Sequence, residues 1–216
     1  MTDFTDLWPI LGLSLQVALS AVLLSVLVAA PLGTWLGLSA WSRSTWVRAL
    51  VYTGMALPPV VVGLAIYLLL SASGPLGSLG WLFTPQAMIL AQTILDIPFV
   101  TGITMTAVAA VPEDLHFQAR ALGASPMQAR FAVLREARGG LFLAVATALG
   151  RSMSEVGAVW MVGGNIEGHT RVLTTAVVLE TGKGNFAFAL VLGGVLLAVA
   201  LALNLAVLRW QDRPLP

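Results

Sequence analysis

Five stretches of the chain, at approximately 10–38, 49–72, 87–110, 141–162 and 186–208, each run for more than twenty residues with few or no charges. A helix rises about 1.5 Å per residue, so about 20 apolar residues cross a hydrocarbon core roughly 30 Å thick. No other feature constrains the fold so strongly, because lipid gives an exposed backbone nothing to hydrogen-bond. The runs are continuous rather than alternating, which fits helices and not barrel strands. The sequence therefore predicts an all-α, polytopic membrane protein of about five transmembrane helices. A single transmembrane domain over 1–216 is expected, with a polar segment at 111–140. Composition agrees: 58% of residues are hydrophobic and 10% charged, where a soluble domain carries about 25% charge. That deficit excludes disorder, a basic nucleic-acid-binding surface and an ordinary water-soluble enzyme. With no cysteine in the chain, disulfides, thiolate metal sites and cysteine nucleophiles are excluded as well.

Basic residues between the spans set the orientation. Arg43 and Arg48 lie between spans one and two, Arg120, Arg130, Arg135 and Arg138 between three and four, and Arg209 and Arg213 after span five. The opposite face carries only Arg171 and Lys183, so the count is eight against two. This predicts an N-terminus outside and a C-terminus in the cytoplasm, consistent with an odd number of spans. The opening Met1-Thr2-Asp3-Phe4-Thr5-Asp6 is acidic and the apolar run after it is long. A cleaved signal has a basic start and a short core, so the first span is expected to be retained.

Prolines interrupt three spans: Pro31, the Pro58-Pro59 pair and Pro98. Each removes a backbone donor, marking either a broken helix beside a path or a packing kink. Gly33-Thr34-Trp35-Leu36-Gly37 has the small-residue spacing that lets two helices approach closely.

Three ionisable residues fall inside the spans. Arg151 and Glu155 are four apart, so on one continuous helix they share a face and can pair. Charge inside a membrane helix is costly and faces protein or water. The pair therefore either lines a path or gate, or ties two helices together. Asp96 forms a polar patch with Gln92 and Thr93, facing a partner helix or a pore. Thr101 and Thr104 are expected to bond back to their own helix.

The segment 111–140 reads as helix, glycine turn, helix. Pro112, Glu113 and Asp114 suit a helix start, and Leu115, Ala119 and Leu122 recur on one face. Gly123 suits a left-handed cap, and Ser125-Pro126-Met127-Gln128 reads as a capping box with proline at the first helical position. On the opposite face, the loop 165–186 carries Arg171 and Lys183 among glycines that free backbone amides for anion contact. The stretch 172–179 is apolar enough to dip in as a short gate helix, and His169 reads as a solvated loop residue. No phosphate-binding loop occurs, since Thr181-Gly182-Lys183-Gly184 lacks the spacing. No catalytic constellation or metal-ligand cluster is recognisable either.

Two stretches carry a resemblance. Gln118-Ala119-Arg120-Ala121-Leu122-Gly123-Ala124-Ser125-Pro126 resembles the conserved cytoplasmic loop of ABC-importer permeases. That loop runs Glu-Ala-Ala, three residues, Gly, nine residues, then Ile-x-Leu-Pro. Ala119 and Gly123 match, Val133 stands in for the Ile, and Phe117, Gln118, Arg135 and Glu136 depart. Ser154-Glu155-Val156-Gly157-Ala158, Gly163-Gly164-Asn165-Ile166 and Thr170-Arg171-Val172-Leu173-Thr174-Thr175-Ala176 resemble the molybdate/tungstate branch of oxyanion permeases, and most of all its tungstate subunits.

The resemblance implies an inner-membrane permease of the type I importer kind, working as a homodimer around a central path. It implies an ATPase dimer docked on Gln118, Ala119, Arg120, Leu122, Gly123, Ala124, Ser125 and Pro126. ATP and Mg²⁺ would be used by that partner and no cofactor by this chain. An extracytoplasmic oxyanion-binding protein would deliver the anion. Membrane lipid surrounds the chain, and no nucleic acid is involved. Asp96, Arg151, Glu155, Asn165, Thr170, Arg171, Thr174 and Thr175 are the candidates for gate or pathway. An ion-coupled secondary transporter using Asp96 or Glu155 is the alternative, as is the same architecture for molybdate or another oxyanion. A membrane-embedded enzyme would need convergent catalytic groups that the sequence does not offer.

Overall fold

A computed structural model describes residues 7–211. The acidic opening residues and Arg213 lie outside the described residues. Within them the chain is helical, with ten α-helices: α1 (Leu7–Leu38), α2 (Thr45–Met55), α3 (Pro59–Leu70), α4 (Pro85–Ala109), α5 (Glu113–Ala121), α6 (Pro126–Glu136), α7 (Arg138–Ser154), α8 (Gly157–Gly163), α9 (Leu173–Gly182) and α10 (Phe186–Gln211). Short 3-10 turns at Ala40–Arg43 and Gly77–Leu79 complete the connections.

Three of these helices, α1, α4 and α10, are long and apolar enough to cross a membrane, and α2 with α3 makes a fourth if the bent pair is one span. Two of the five predicted continuous spans are therefore corrected. The stretch 49–72 turns by 83° between α2 and α3. Pro58 there is extended and Pro59 takes the first helical position of α3. Two successive prolines supply no N–H for the carbonyls of the preceding turn, so α2 stops and a new helix starts. The stretch 141–162 divides into α7, 17 residues long, and α8, with Glu155 extended between them. By contrast Pro31 and Pro98 sit inside continuous helices.

Helix α4 runs through the centre, packed along α1 on one side and against α7, α2 and α8 on others. One apolar cluster joins α1, α3, α4 and α8 through Val17, Ile66, Met88, Leu95 and Val162. A second joins α1, α4 and α7 through Val22, Ala29, Val100, Ala148 and Leu149. Small residues set the spacing: a β-carbon on Gly33 would lie 2.7 Å from the Thr101 carbonyl oxygen, and one on Gly37 2.7 Å from Val108 Cβ. The glycine pair therefore seats α1 on α4, as its spacing predicts. Many leucines on the outer faces of α1 and α10, such as Leu23, Leu27, Leu197 and Leu201, stay exposed. Apolar residues on a lipid-facing surface cost nothing, so only contacts between helices need small or polar groups.

Candidate functional site

The interrupted spans meet beside the middle of α4. A β-carbon on Gly157, just after the α7–α8 break, would lie 2.8 Å from Val60 Cγ2, just after the α2–α3 break. One on Gly54 would lie 3.0 Å from Pro98, and one on Gly102 2.9 Å from Met55 Sδ. Non-helical backbone at membrane depth is tolerated where protein or a watery path surrounds it. These two breaks and Pro98 therefore mark one layer of the bundle.

A group of buried polar side chains lies on the same elements: Gln92 and Asp96 on α4, Ser152 on α7 and Glu155 at the break. Ser152 Oγ donates to Asp96 Oδ2 at 2.6 Å, and Gln92 Nε2 donates to the Ser152 carbonyl at 3.0 Å. Arg151 places Nε 3.9 Å from Asp96 Oδ1 and lays its guanidinium over the Phe99 ring, 4.4 Å from the centroid. Glu155 does not pair with Arg151, which corrects the expectation of an i,i+4 couple. The helix has ended, so the two are no longer stacked on one face. Instead Glu155 Oε1 accepts the Ala158 amide at 3.0 Å, and its carbonyl accepts Thr174 Oγ1 at 2.9 Å. Part of what frees the helix to break is thus tertiary: α9 supplies the partner for a carbonyl that α7 no longer uses.

Ser14 Oγ accepts the Leu173 amide at 2.8 Å, tying the start of α9 to α1. A cavity of about 10 Å³ lies among Ser14, Gln92, Ser152 and Thr174, room for about one water. Gln92 Oε1 has no protein partner there among the described residues. Thr101 and Thr104 do not bond back to their own helix; both hydroxyls are buried without a partner among the described residues. The Thr101 carbonyl and Thr104 Cβ lie instead against the closely packed Gly33.

The predicted outer residues are organised by local bonds. Gly164 and Asn165 both have positive φ, 72° and 51°. Thr170 Oγ1 closes this turn, donating to the Gly163 carbonyl at 2.6 Å and accepting the Ile166 amide at 2.9 Å. Thr175 Oγ1 accepts the Val172 amide at 3.1 Å, fixing the start of α9. The short helix expected at 172–179 is present as α9 and extends to Gly182. The two cations predicted on the outer face are paired: Arg171 with Glu167 at 3.2 Å and Lys183 with Glu180 at 2.7 Å. The Lys183 ammonium bond, helped by Asn185, holds the Glu180 carboxyl below its ordinary range against the opposing effect of burial. Exposed His169 lines a cavity of about 190 Å³ with Arg171, Glu167, Pro9, Ile10 and Leu13.

At the opposite end α5 and α6 form the expected hairpin. Gly123 has φ 88°, Ser125 Oγ accepts the Gln128 amide at 3.3 Å, and Gln128 Oε1 accepts the Ser125 amide at 2.7 Å. Arg120 Nη1 ties the turn by donating to the Ala124 carbonyl at 2.6 Å, and Ala119 and Pro126 flank it. Gln118 is exposed, and Leu122, expected on the apolar face of α5, is instead 89% exposed at the helix end. Met127 and Phe131 are exposed beside it. Pro112 stands one residue before α5 rather than inside it.

Sequence reading alone did not single out Ser152 or Phe99. Neither side chain is charged, and their partners Asp96 and Arg151 lie far off in sequence, so nothing local signals the role.

Residues 29–213 match the family model described as the binding-protein-dependent transport system inner membrane component. The "Probable anion ABC transporter permease protein" of Haloferax volcanii is 43% identical over 98% of this chain and 93% of its own. The tungstate uptake system permease protein TupB of Peptoclostridium acidaminophilum is 36% identical over 96% of this chain and 91% of its own. Among solved structures, an inward-facing MetNI methionine ABC transporter chain aligns with TM-score 0.69 at 18% identity, over 98% of this chain and 100% of that one. The fold is thus that of a known transporter subunit, and the chain belongs to the inner membrane components of binding-protein-dependent transport systems.

Proposed function

We propose that this chain is the permease subunit of an ATP-driven importer for a tetrahedral oxyanion, with tungstate the first substrate to test. The observation that carries the importer reading is the α5–α6 hairpin. Its glycine turn and capping box make a rigid knob whose Leu122 and Met127 side chains stand in the open. Such a knob suits transmission of rigid-body motion from a docked subunit. The substrate rests on likeness to a tungstate permease and an anion permease along nearly the whole chain.

In this reading two copies enclose the path, and an ATPase dimer that binds ATP and Mg²⁺ docks on the two hairpins. A binding protein delivers the anion to the 163–186 face. The arginines of the hairpin side support a cytoplasmic location for that end, with the N-terminus outside.

The test is elemental uptake measured by mass spectrometry. Cells lacking the chain and complemented cells receive tungstate and molybdate together at nanomolar concentration. Chain-dependent tungsten accumulation that persists against excess molybdate supports the proposal. Equal loss of both metals broadens the substrate to molybdate. Uptake that survives deletion of the ATPase assigns an ion-coupled secondary transporter instead, and loss of neither metal refutes the oxyanion reading.

A further inference from the structure

The Asp96–Arg151 pair is made unequally. Asp96 is 1% exposed and anchored by the 2.6 Å bond from Ser152. Arg151 is only half-held. Its Nε lies 3.9 Å from Asp96 Oδ1, beyond the 2.7–2.9 Å of a charge-assisted hydrogen bond. That Nε is buried without an acceptor among the described residues. The rest of the guanidinium leans on Phe99, and the side chain stays 22% exposed.

A pair kept only to tie α4 to α7 would gain most from a closed, bidentate geometry with every donor used. Here one partner is fixed by a short hydrogen bond, and the other is held only by a long ion pair and a ring face. Glu155 makes no ion pair with Arg151 among the described residues, and its Oε1 accepts the Ala158 amide.

We propose that Arg151 is the anion contact inside the membrane, and that Asp96 is a positioning residue: the resident counter-ion that an incoming tetrahedral oxyanion displaces. The inference rests on the oxyanion-import reading. A guanidinium offers planar paired donors to an oxyanion, and Phe99 supplies a face on which it can pivot. With no anion present Asp96 balances the charge that lipid would otherwise penalise. With an anion present Asp96 competes for the same donors and keeps the contact weak. That is what a path requires, since a site must hold well enough for entry and loosely enough for exit.

The experiment uses the complete transporter, this chain with its ATPase and binding protein, and reads tungsten uptake against tungstate concentration at matched membrane levels. Arg151→Gln is expected to lower uptake at least tenfold while the ATPase still co-purifies, with Arg151→Lys retaining part of it. Asp96→Asn keeps an acceptor for Ser152 but removes the competing charge. It is expected to lower both the half-saturating tungstate concentration and the maximal rate. The neutral double variant Asp96→Asn/Arg151→Gln removes the ion pair without leaving a lone charge, so it guards against variants that fail only because a single charge is stranded.

If the pair is structural, the double variant regains uptake, and the proposal is overturned. If Arg151 contacts the anion, the double variant remains as inactive as Arg151→Gln. Normal uptake by Arg151→Gln also overturns the proposal and leaves the import reading intact, whereas a wild-type transporter that accumulates neither tungsten nor molybdenum fails that reading itself.

Discussion

Replacing Gly33 by alanine tests the packing that sets the bundle. The added methyl would lie 2.7 Å from the Thr101 carbonyl oxygen, 2.8 Å from Thr104 Cβ and 3.2 Å from the Met105 amide nitrogen. Carbon atoms rest at about 3.5–4.0 Å, so α1 must retreat from α4 by roughly 1 Å. Two of the three atoms are backbone and cannot turn aside. Overpacking of this kind costs about 1–3 kcal/mol, and 2 kcal/mol changes the folded-to-unfolded ratio about 30-fold. Gly37→Ala strains the same helix pair, at 2.7 Å from Val108 Cβ and 2.8 Å from the Met105 carbonyl oxygen. One retreat relieves both clashes, so the double variant is expected to lose less than the two single losses added together.

Gly12, on the same helix, is the control, because a β-carbon there would meet nothing within 4 Å. Gly12→Ala is expected to be neutral or to gain up to about 1 kcal/mol from helix propensity. The assay is unfolding of the purified protein in mixed micelles by titration with a denaturing detergent, with thermal melting as a second probe. If Gly33→Ala and Gly12→Ala agree within about 0.5 kcal/mol, the close-packing argument is wrong.

Three other outcomes follow from local geometry. Gly123→Val meets no steric neighbour but must hold φ 88°, which costs a β-branched residue about 1 kcal/mol or more. ATPase co-purification should fall while membrane insertion persists, and unchanged assembly with wild-type transport would count against the coupling role. Thr170→Val strips the Gly163 carbonyl and the Ile166 amide of their shared partner, a loss of about 2–3 kcal/mol. Limited proteolysis should then cut between 163 and 171, and an unchanged digestion pattern would contradict this. The Glu180 carboxyl is held below its ordinary value of 4.5, mainly by Lys183. The native state therefore gains stability that is full above that ordinary value and is lost as pH falls through the lowered native one. The melting-temperature advantage of wild type over Lys183→Gln should be full at neutral pH and shrink below about pH 4.5. A difference that does not change with pH would refute the assignment.

Much of the fold is legible along the chain. Long apolar runs demand helices wherever lipid denies the backbone water, and α1, α4 and α10 follow them closely. The α5–α6 hairpin is equally legible, because Gly123, Ser125 and Gln128 act on neighbours within a few residues. The candidate site is legible in part: Asp96, Arg151 and Glu155 attract notice as charges in apolar surroundings. Their pairing is not, because a periodic reading assumes that the helix continues from Arg151 to Glu155.

What the sequence determined by itself is therefore the class of the protein, its helical segments and the local caps, all consequences of short-range chemistry and solvent exclusion. The tertiary structure decided where α7 ends, which acid faces Arg151 and why Gly33 must lack a side chain. Each depends on a partner remote in the chain: Thr174 meeting the Glu155 carbonyl, Asp96 beside Arg151, and Thr101 against Gly33. Hydrophobic periodicity carries no information about such partners, because burial drives helices together without specifying which polar atoms will meet.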